Sequence, residues 1–379
     1  MRITSLGLSN WRNFPKAEVD LASRSFLVGP NASGKSNFLD AVWFLHDIVA
    51  VGGGFQDAVA RRGGVSAVRS LAARRYPDVE LRITLGTDKE PKVWEYEMSF
   101  AQDNRQRPYL RKEIVRKGGR ELMRRPDAGD EADEAQLSQT FLEQVNANKA
   151  FRVVADFLRT VHYSHIVPQL VREPDRSVGK VNDPYGGDFI EQIARTPENT
   201  RKARLRRIVE ALRIAVPQLE TLELQKDVRG SNHLRGRYVH WRPQGAWQSE
   251  ADFSDGTLRL FGLLWSLLER GGPLLLEEPE LSLHPAVVRY VPQMLGRMQS
   301  RTGRQVIVST HSPELLADTG IGLNEVLLLV PENEGTAVTP VSKLSDVQSL
   351  LDGGLNLAEI VVPKTRPRHA EQLSFFPPS

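Results

Sequence analysis

Three short stretches hold residue types that can handle a phosphorylated ligand. In GPNASGKSN, residues 29–37, Gly29 is followed by four residues and then by Gly34, Lys35 and Ser36, the spacing of a phosphate loop. A loop made of Gly29, Pro30, Asn31, Ala32, Ser33 and Gly34 has to turn backbone N–H groups inward around a β-phosphate, which glycine permits because it lacks a Cβ. Lys35 is then expected to reach the β- and γ-phosphates of ATP, and Ser36 to place its hydroxyl on Mg2+. Asn37 leads into a helix whose positive dipole end adds to the site. In LLLEEPELSLHP, residues 274–285, an apolar run ends in Glu277 and Glu278. Paired carboxylates beside a phosphate loop supply one acid for the water shell of Mg2+ and one to orient an attacking water, so Glu277 takes the metal and Glu278 is the general base. His311 ends a third apolar run, VIVST. Ligands of open α/β sheets bind at strand carboxyl ends, where a histidine can sense a γ-phosphate.

These residues need strands and helices to hold them. SRSFLVG reads as a buried strand entering the loop. SNFLDAVWFLHDIV has apolar residues at Phe38, Leu39, Val42, Trp43, Leu45 and Ile48, a helical spacing. In ADFSDGTLRLFGLLWSLLERGG, residues 251–272, Ser254 precedes a strongly apolar helix and reads as its N-cap. With Gly256 beside it, the same helix start is also an anion site able to meet a phosphate.

Texture divides the chain into four. Residues 1–77 form the first part of a nucleotide-binding core and 251–345 the second, with 346–379 as a tail. Between them, 78–250 reads as an insertion that opens on a hairpin, DVELRITLG and KVWEYEMSF joined by TDKEP. YLRKEIVRKGGRELMRRPDAGDEADEA then switches from basic to acidic. It is a solvated, partly mobile arm or a surface for nucleic acid or a partner. Residues 137–162 and 188–216 read as mainly helical.

Composition excludes several classes. The 379 residues contain no cysteine, so disulfides, thiolate zinc sites and cysteine nucleophiles are ruled out, which suits a cytoplasmic protein. No apolar run approaches a membrane span, and MRITSLGLSNWRNF lacks the apolar block of a signal peptide. No membrane role is expected. A net charge of +3 permits DNA contact without arguing for it.

Five motifs in order, NWRNF, GPNASGKSN, FSDGTLR, LLLEEPELSLHP and STHSP, give the chain a resemblance to ABC-type ATPases of the SMC/RecF-like group. Within it the chain is similar to the AAA-family ATPases related to the overcoming-lysogenization-defect (OLD) proteins. The resemblance covers about the first 50 residues and residues 250–316. It implies an α/β fold, an ABC-type P-loop ATPase head with a mixed sheet flanked by helices and a central β-hairpin and helical insertion. It also implies ATP hydrolysis, with Lys35, Glu278 and His311 as the catalytic set and Arg12 reaching the nucleotide phosphates. Ser254 and Gly256 become the signature that contacts the γ-phosphate held by a second chain, so a homodimer forms on ATP binding.

Two positions depart from that group. Its metal-holding residue is usually aspartate, whereas here it is Glu277, whose extra methylene would displace the ion and slow hydrolysis. The glutamine that ends a core strand is matched only by Gln169 in HYSHIVPQL, which reads either as a metal ligand or as a surface residue after a proline turn. The stretch after His311 holds no nuclease-like acidic cluster, and the insertion lacks long heptads. Three readings follow. The first is an ATPase of a bacterial phage-defence module that regulates a separate effector such as a nuclease. The others are a RecF-like DNA-binding ATPase of DNA repair and an ATP-binding scaffold with little turnover.

Overall fold

The structure, a computed structural model, describes residues 1–73, 77–173, 182–241, 245–366 and 372. Fifteen described strands run in chain order: β1 (Arg2–Trp11), β2 (Phe14–Asp20), β3 (Arg24–Val28), β4 (Val79–Gly86), β5 (Trp94–Gln102), β6 (Pro108–Lys117), β7 (Arg120–Arg125), β8 (His162–Ser164), β9 (Leu219–Lys226), β10 (Asn232–Tyr238), β11 (Ala246–Ser249), β12 (Leu274–Glu277), β13 (Val306–Thr310), β14 (Val326–Glu332) and β15 (Gly335–Pro340). They form an antiparallel sheet β2-β1-β4-β5-β6-β7, a mixed sheet β15-β14-β3-β13-β12-β8, and a small sheet β11-β10-β9.

The mixed sheet positions the site. From β14 to β8 all pairs are parallel, and only the edge strand β15 is antiparallel. Its central strands, FLV, LLL and VIV, are apolar without alternation because both faces are covered. On one face Leu27, Leu275 and Ile307 pack against helix α1 (Lys35–Val49). On the other, Phe26, Leu274, Leu276 and Val308 pack against the helices Asp255–Leu268 and Val291–Thr302. Almost all of α1 is buried, as a helix apolar on every side must be. It lies between the mixed sheet and the apolar face of the antiparallel sheet, to which Leu6, Leu81, Ile83 and Met98 contribute.

The expected hairpin forms, as β4 and β5, but it is not separate from the N-terminal segment. Leu6 pairs with Ile83 and Leu8 with Leu81, so a boundary at residue 77 would cut one sheet. Strand β8, inside the expected insertion, likewise joins the mixed sheet. Two strands with one apolar face are marginal alone, and β1 and α1 complete them. A change of texture marks a change of local pattern, not the end of a sheet.

The basic stretch is also ordered: it is the strand pair β6–β7, turning at Gly118 and Gly119, both with positive φ. Only part of 137–162 is helical, chiefly Arg152–Arg159. Glu113 accepts from the N–H groups of Phe141 and Leu142, and Glu143 from that of Thr140, which competes with helical pairing. Helices Phe189–Arg195 and Glu198–Ala215 account for most of 188–216.

Candidate nucleotide site

Strand β3 delivers the chain into the loop and α1 receives it. A Cβ on Gly29 would lie 2.6 Å from the carbonyl oxygen of Leu329 on β14, so the loop can pass its neighbour only as glycine. Gly34, at φ +90°, has Asn13 directly over it. Asn13 donates to Ser33 O at 3.0 Å and accepts from Asn37 at 2.8 Å, bracing the loop from outside. Ser33 is fully buried with its hydroxyl unpartnered, whereas Asn31 and Ala32 are exposed and Pro30 is half-buried.

Lys35 is buried at the centre of the loop, its ammonium donating to Gly29 O at 3.0 Å and Pro30 O at 3.1 Å. Burial pulls its pKa below the usual lysine value, against the opposing pull of Glu278, Glu280 and Glu277. Backbone carbonyls hold the cation inside the loop.

The three acids of EEPE have different partners. Glu277, the last residue of β12, accepts from the Ser36 hydroxyl on one oxygen and from the Tyr163 hydroxyl on the other. Glu278 leaves the strand at φ +42°, a left-handed conformation costly for a glutamate. That turn sets its carboxylate 3.3 Å from His311 Nδ1 and 3.8 Å from Lys35 Nζ. Glu280 is buried; it accepts from Thr310 Oγ1 at 2.6 Å and the His311 N–H at 3.2 Å, while its other oxygen has no partner. Burial pushes its pKa upward.

Arg12 donates to Asp40 at 2.9 Å, with its Nε buried and unpartnered. It stands between two clefts. One, of about 560 Å3, also includes Ser36, Asn37, Tyr163, His165 and Glu277. The other, of about 630 Å3, runs past Asn13 to Ser70 and Gly335. The hydroxyl of Ser36 and the carboxylate of Glu277 are hard oxygen donors. Among the described residues no group of three or more His, Cys, Asp or Glu could hold a metal. Such a short protein ligand set fits Mg2+, which keeps waters and takes the rest of its ligands from phosphates.

Lys35, Ser36, Glu277, Glu278 and His311 therefore meet, with Arg12 alongside. Ser254 and Gly256 do not join them: among the described residues neither has a recorded bond to residues 29–37. Ser254 caps its helix by accepting from Thr257 N at 3.2 Å, and a Cβ on Gly256 would lie 2.6 Å from Ser282 O. Gln169 is exposed on the short helix Pro168–Val171, and among the described residues no hydrogen bond joins it to Glu277. Tyr163 and His165 are there instead, the latter with Nδ1 3.1 Å from Glu277 O. The sequence reading missed them, together with Asn13 and Glu280. In HYSHIVPQL the available signal was the period-two spacing of Tyr163 and His165 rather than the glutamine.

The profile of an AAA domain family, described as "putative AbiEii toxin, Type IV TA system", matches residues 24–317, a span containing the phosphate loop, the acids and His311. The chain belongs to this family. It is also 34% identical over 97 residues to the OLD nuclease of Thermus scotoductus, a stretch that makes up 26% of this chain and 18% of that protein. The matched part is thus a small fraction of that relative. Among solved structures it is similar to an Smc head bound to the C-winged helix domain of ScpA, with TM-score 0.55, 15% identity, and 89% of this chain and 97% of that one covered. An Smc head with an extended coiled coil from Pyrococcus furiosus gives TM-score 0.53 at 13% identity, covering 93% and 99%. The fold of this family member is accordingly the ABC-type head of SMC proteins, a mixed sheet flanked by helices. The chain is thus an AAA-domain protein with the fold of an SMC head, and part of it is similar to the OLD nuclease. No described helix is long and apolar enough to cross a membrane.

Proposed function

We propose that the chain is an ATP-driven dimerisation switch in which two copies enclose two ATP molecules, and that closure and opening control a separate effector such as a nuclease. The supporting observation is a division within one chain. Lys35, Ser36, Glu277, Glu278 and His311 converge, while Ser254 caps its own helix at Thr257 and, among the described residues, neither it nor Gly256 bonds to residues 29–37. A helix N-terminus capped by a serine is suited to a phosphate presented by another copy.

In this reading Lys35 exchanges its carbonyl partners for the β- and γ-phosphates. Glu278 takes a proton from the water that attacks the γ-phosphorus as the bond to the bridging oxygen breaks. His311, 3.3 Å from Glu278, holds the far side of the γ-phosphate, and Glu280 fixes the backbone on which His311 sits. Ser36 and Glu277 would hold Mg2+, which would supply positive charge against the phosphate oxygens. Since the γ-phosphate is the shared ligand, hydrolysis releases the pair. The nuclease effector draws on the similarity to the OLD nuclease, and phage defence as the setting on the resemblance carried by the five motifs. The DNA-repair reading has less support, because Lys112 and Arg116 of the basic stretch are engaged by Glu97 at 2.5 and 3.2 Å.

Two inactive variants test the switch. Ser254→Arg should bind ATP yet fail to close, and Lys35→Ala should fail to bind it. Mixed, they pair one intact phosphate loop with one intact signature, so turnover should recover to as much as one working site per dimer. No recovery on mixing, with a chain that sediments as a monomer in saturating ATP, would leave Ser254 as a helix cap only.

A further inference from the structure

The side chain that steadies Glu277 is a tyrosine from the next strand. Strand β8 runs parallel to β12 with Tyr163 opposite Leu275 and Ser164 opposite Leu276. Since side chains alternate along a strand, Tyr163 and Glu277 lie on the same sheet face, the one covered by α1. Tyr163 is 7% exposed and packs edge-on against Trp43 of α1 at 5.9 Å between ring centres. Its hydroxyl points out of this packing onto the Glu277 carboxylate, on the oxygen not taken by Ser36. His165 closes the same strand end against the Glu277 carbonyl. Glu277 is thus held at three points by two neighbouring elements.

We propose that Tyr163 is a positioning residue for metal binding, and that glutamate rather than aspartate at position 277 is required because its longer side chain spans Ser36 and Tyr163 together. The extra methylene, read from sequence as a defect that would displace the ion, is then the means by which the carboxylate reaches both hydroxyls. A carboxylate whose second oxygen is fixed by a buried hydroxyl offers the first to a cation without reorganising. The arrangement gives β8 and the segment after it a direct hold on the metal ligand, the place at which Gln169 was expected to act.

This inference rests on the reading of the site as one for ATP and Mg2+, and its test separates the two. The protein is the full chain carrying Glu278→Gln, so that nothing turns over. Binding of a fluorescent ATP analogue is measured in EDTA, and Mn2+ binding is measured by electron paramagnetic resonance with the analogue saturating. Tyr163→Phe retains the ring and its packing and removes only the hydroxyl. Mn2+ affinity should fall about tenfold, the lower end for loss of an outer-shell partner, while analogue affinity in EDTA stays unchanged. Glu277→Asp should weaken Mn2+ comparably, and adding Tyr163→Phe to it should have little further effect, since the aspartate no longer reaches the hydroxyl. Unchanged Mn2+ affinity in Tyr163→Phe, or fully additive losses in the double variant, would overturn the proposal. So would an equal loss of analogue binding in EDTA, which would make Tyr163 a packing residue. Failure of the parent chain to bind the analogue at all would instead remove the ATP reading beneath it.

Discussion

In the antiparallel sheet, Glu113 and Asp130 close on Arg125 with all three side chains at 0% exposure; at the end of the mixed sheet, Glu277, Glu278 and Glu280 gather around Lys35 and His311. The first cluster is saturated. Glu113 accepts from Tyr96, Phe141, Leu142 and Arg125, and Arg125 donates to Asp130 and to the carbonyls of Gln136 and Gln139 while stacking on Phe141. The second is not: a Glu280 oxygen, the Ser33 hydroxyl and Arg12 Nε are buried without partners, and Lys35 is held by carbonyls. Other orphaned atoms lie elsewhere, on His46 and Arg82 for example, so an unpaired atom alone marks nothing. Here one lies on the loop itself, at Ser33, and the others on segments beside it, at Arg12 and Glu280. Around Arg125 the buried polar groups are paired by the fold, and we read those left over around the phosphate loop as available to a ligand.

If that contrast is right, removing a charge from each cluster should have opposite consequences. Glu278→Gln should lower ATP turnover by about 10^2- to 10^4-fold, the usual range for a general base, with ATP binding and thermal stability close to those of the parent. Turnover by phosphate release and stability by denaturant unfolding measure the two. A Glu278→Gln chain that hydrolysed ATP at the parental rate would return the strained glutamate to a structural role.

Arg125→Ala should do the reverse. It leaves Glu113 and Asp130 without their cation in a fully buried site, for which about 3–5 kcal/mol of destabilisation is expected. The unfolding midpoint should fall, while nucleotide affinity measured well below that midpoint stays the same. If Arg125→Ala were neutral to stability, saturation would not be what distinguishes the two clusters.

The two clusters were also unequally legible in the sequence. GPNASGKSN, EEPE and STHSP declare themselves because each is contiguous and its spacing is dictated by the shape of a phosphate chain, so Lys35, Ser36, Glu277, Glu278 and His311 were found together. The mixed α/β core followed from apolar runs such as LLL and VIV. Nothing comparable identified Arg125, which sits in a basic run, RRPD, that reads as solvated. Its burial depends on Glu113 and on residues 136–141 folding back over it, and pairings of that kind have no local pattern. Tyr163 was hidden for the same reason, since its function depends on strand register with β12. Ser254 was legible as the cap of its helix, and the role proposed for it on a second chain has no counterpart within one chain.

A third cluster lies between these extremes and gives the smallest effect. On β5, Glu97 is 4% exposed, but its partners Arg82, Lys112 and Arg116 reach it from the solvent side, at 3.3, 2.5 and 3.2 Å. Burial alone would raise its pKa; the hydrogen bond from Lys112, the charge of Arg82 and the other cations outweigh burial and lower it from 4.5 to about 2. A depressed carboxyl pKa contributes stability that is present above the unfolded value of 4.5 and is lost as pH falls through the folded value of about 2. At about 1.4 kcal/mol per pKa unit the full shift would be worth roughly 3 kcal/mol, and the partial exposure of its partners reduces that to about 1–2 kcal/mol. Glu97→Gln keeps the size and one acceptor oxygen, removes the charge, and puts an NH2 donor where the second oxygen accepted. Its chain should be less stable than the parent by that amount at pH 7, and the gap should close between pH 4.5 and 2. Added salt should narrow the gap at pH 7, because the cations are at the surface. Denaturant midpoints of both chains across this pH range give the answer. A gap that persists unchanged to pH 2 would mean that Glu97 holds its three cations by shape rather than by charge, and would place this cluster with the saturated one around Arg125.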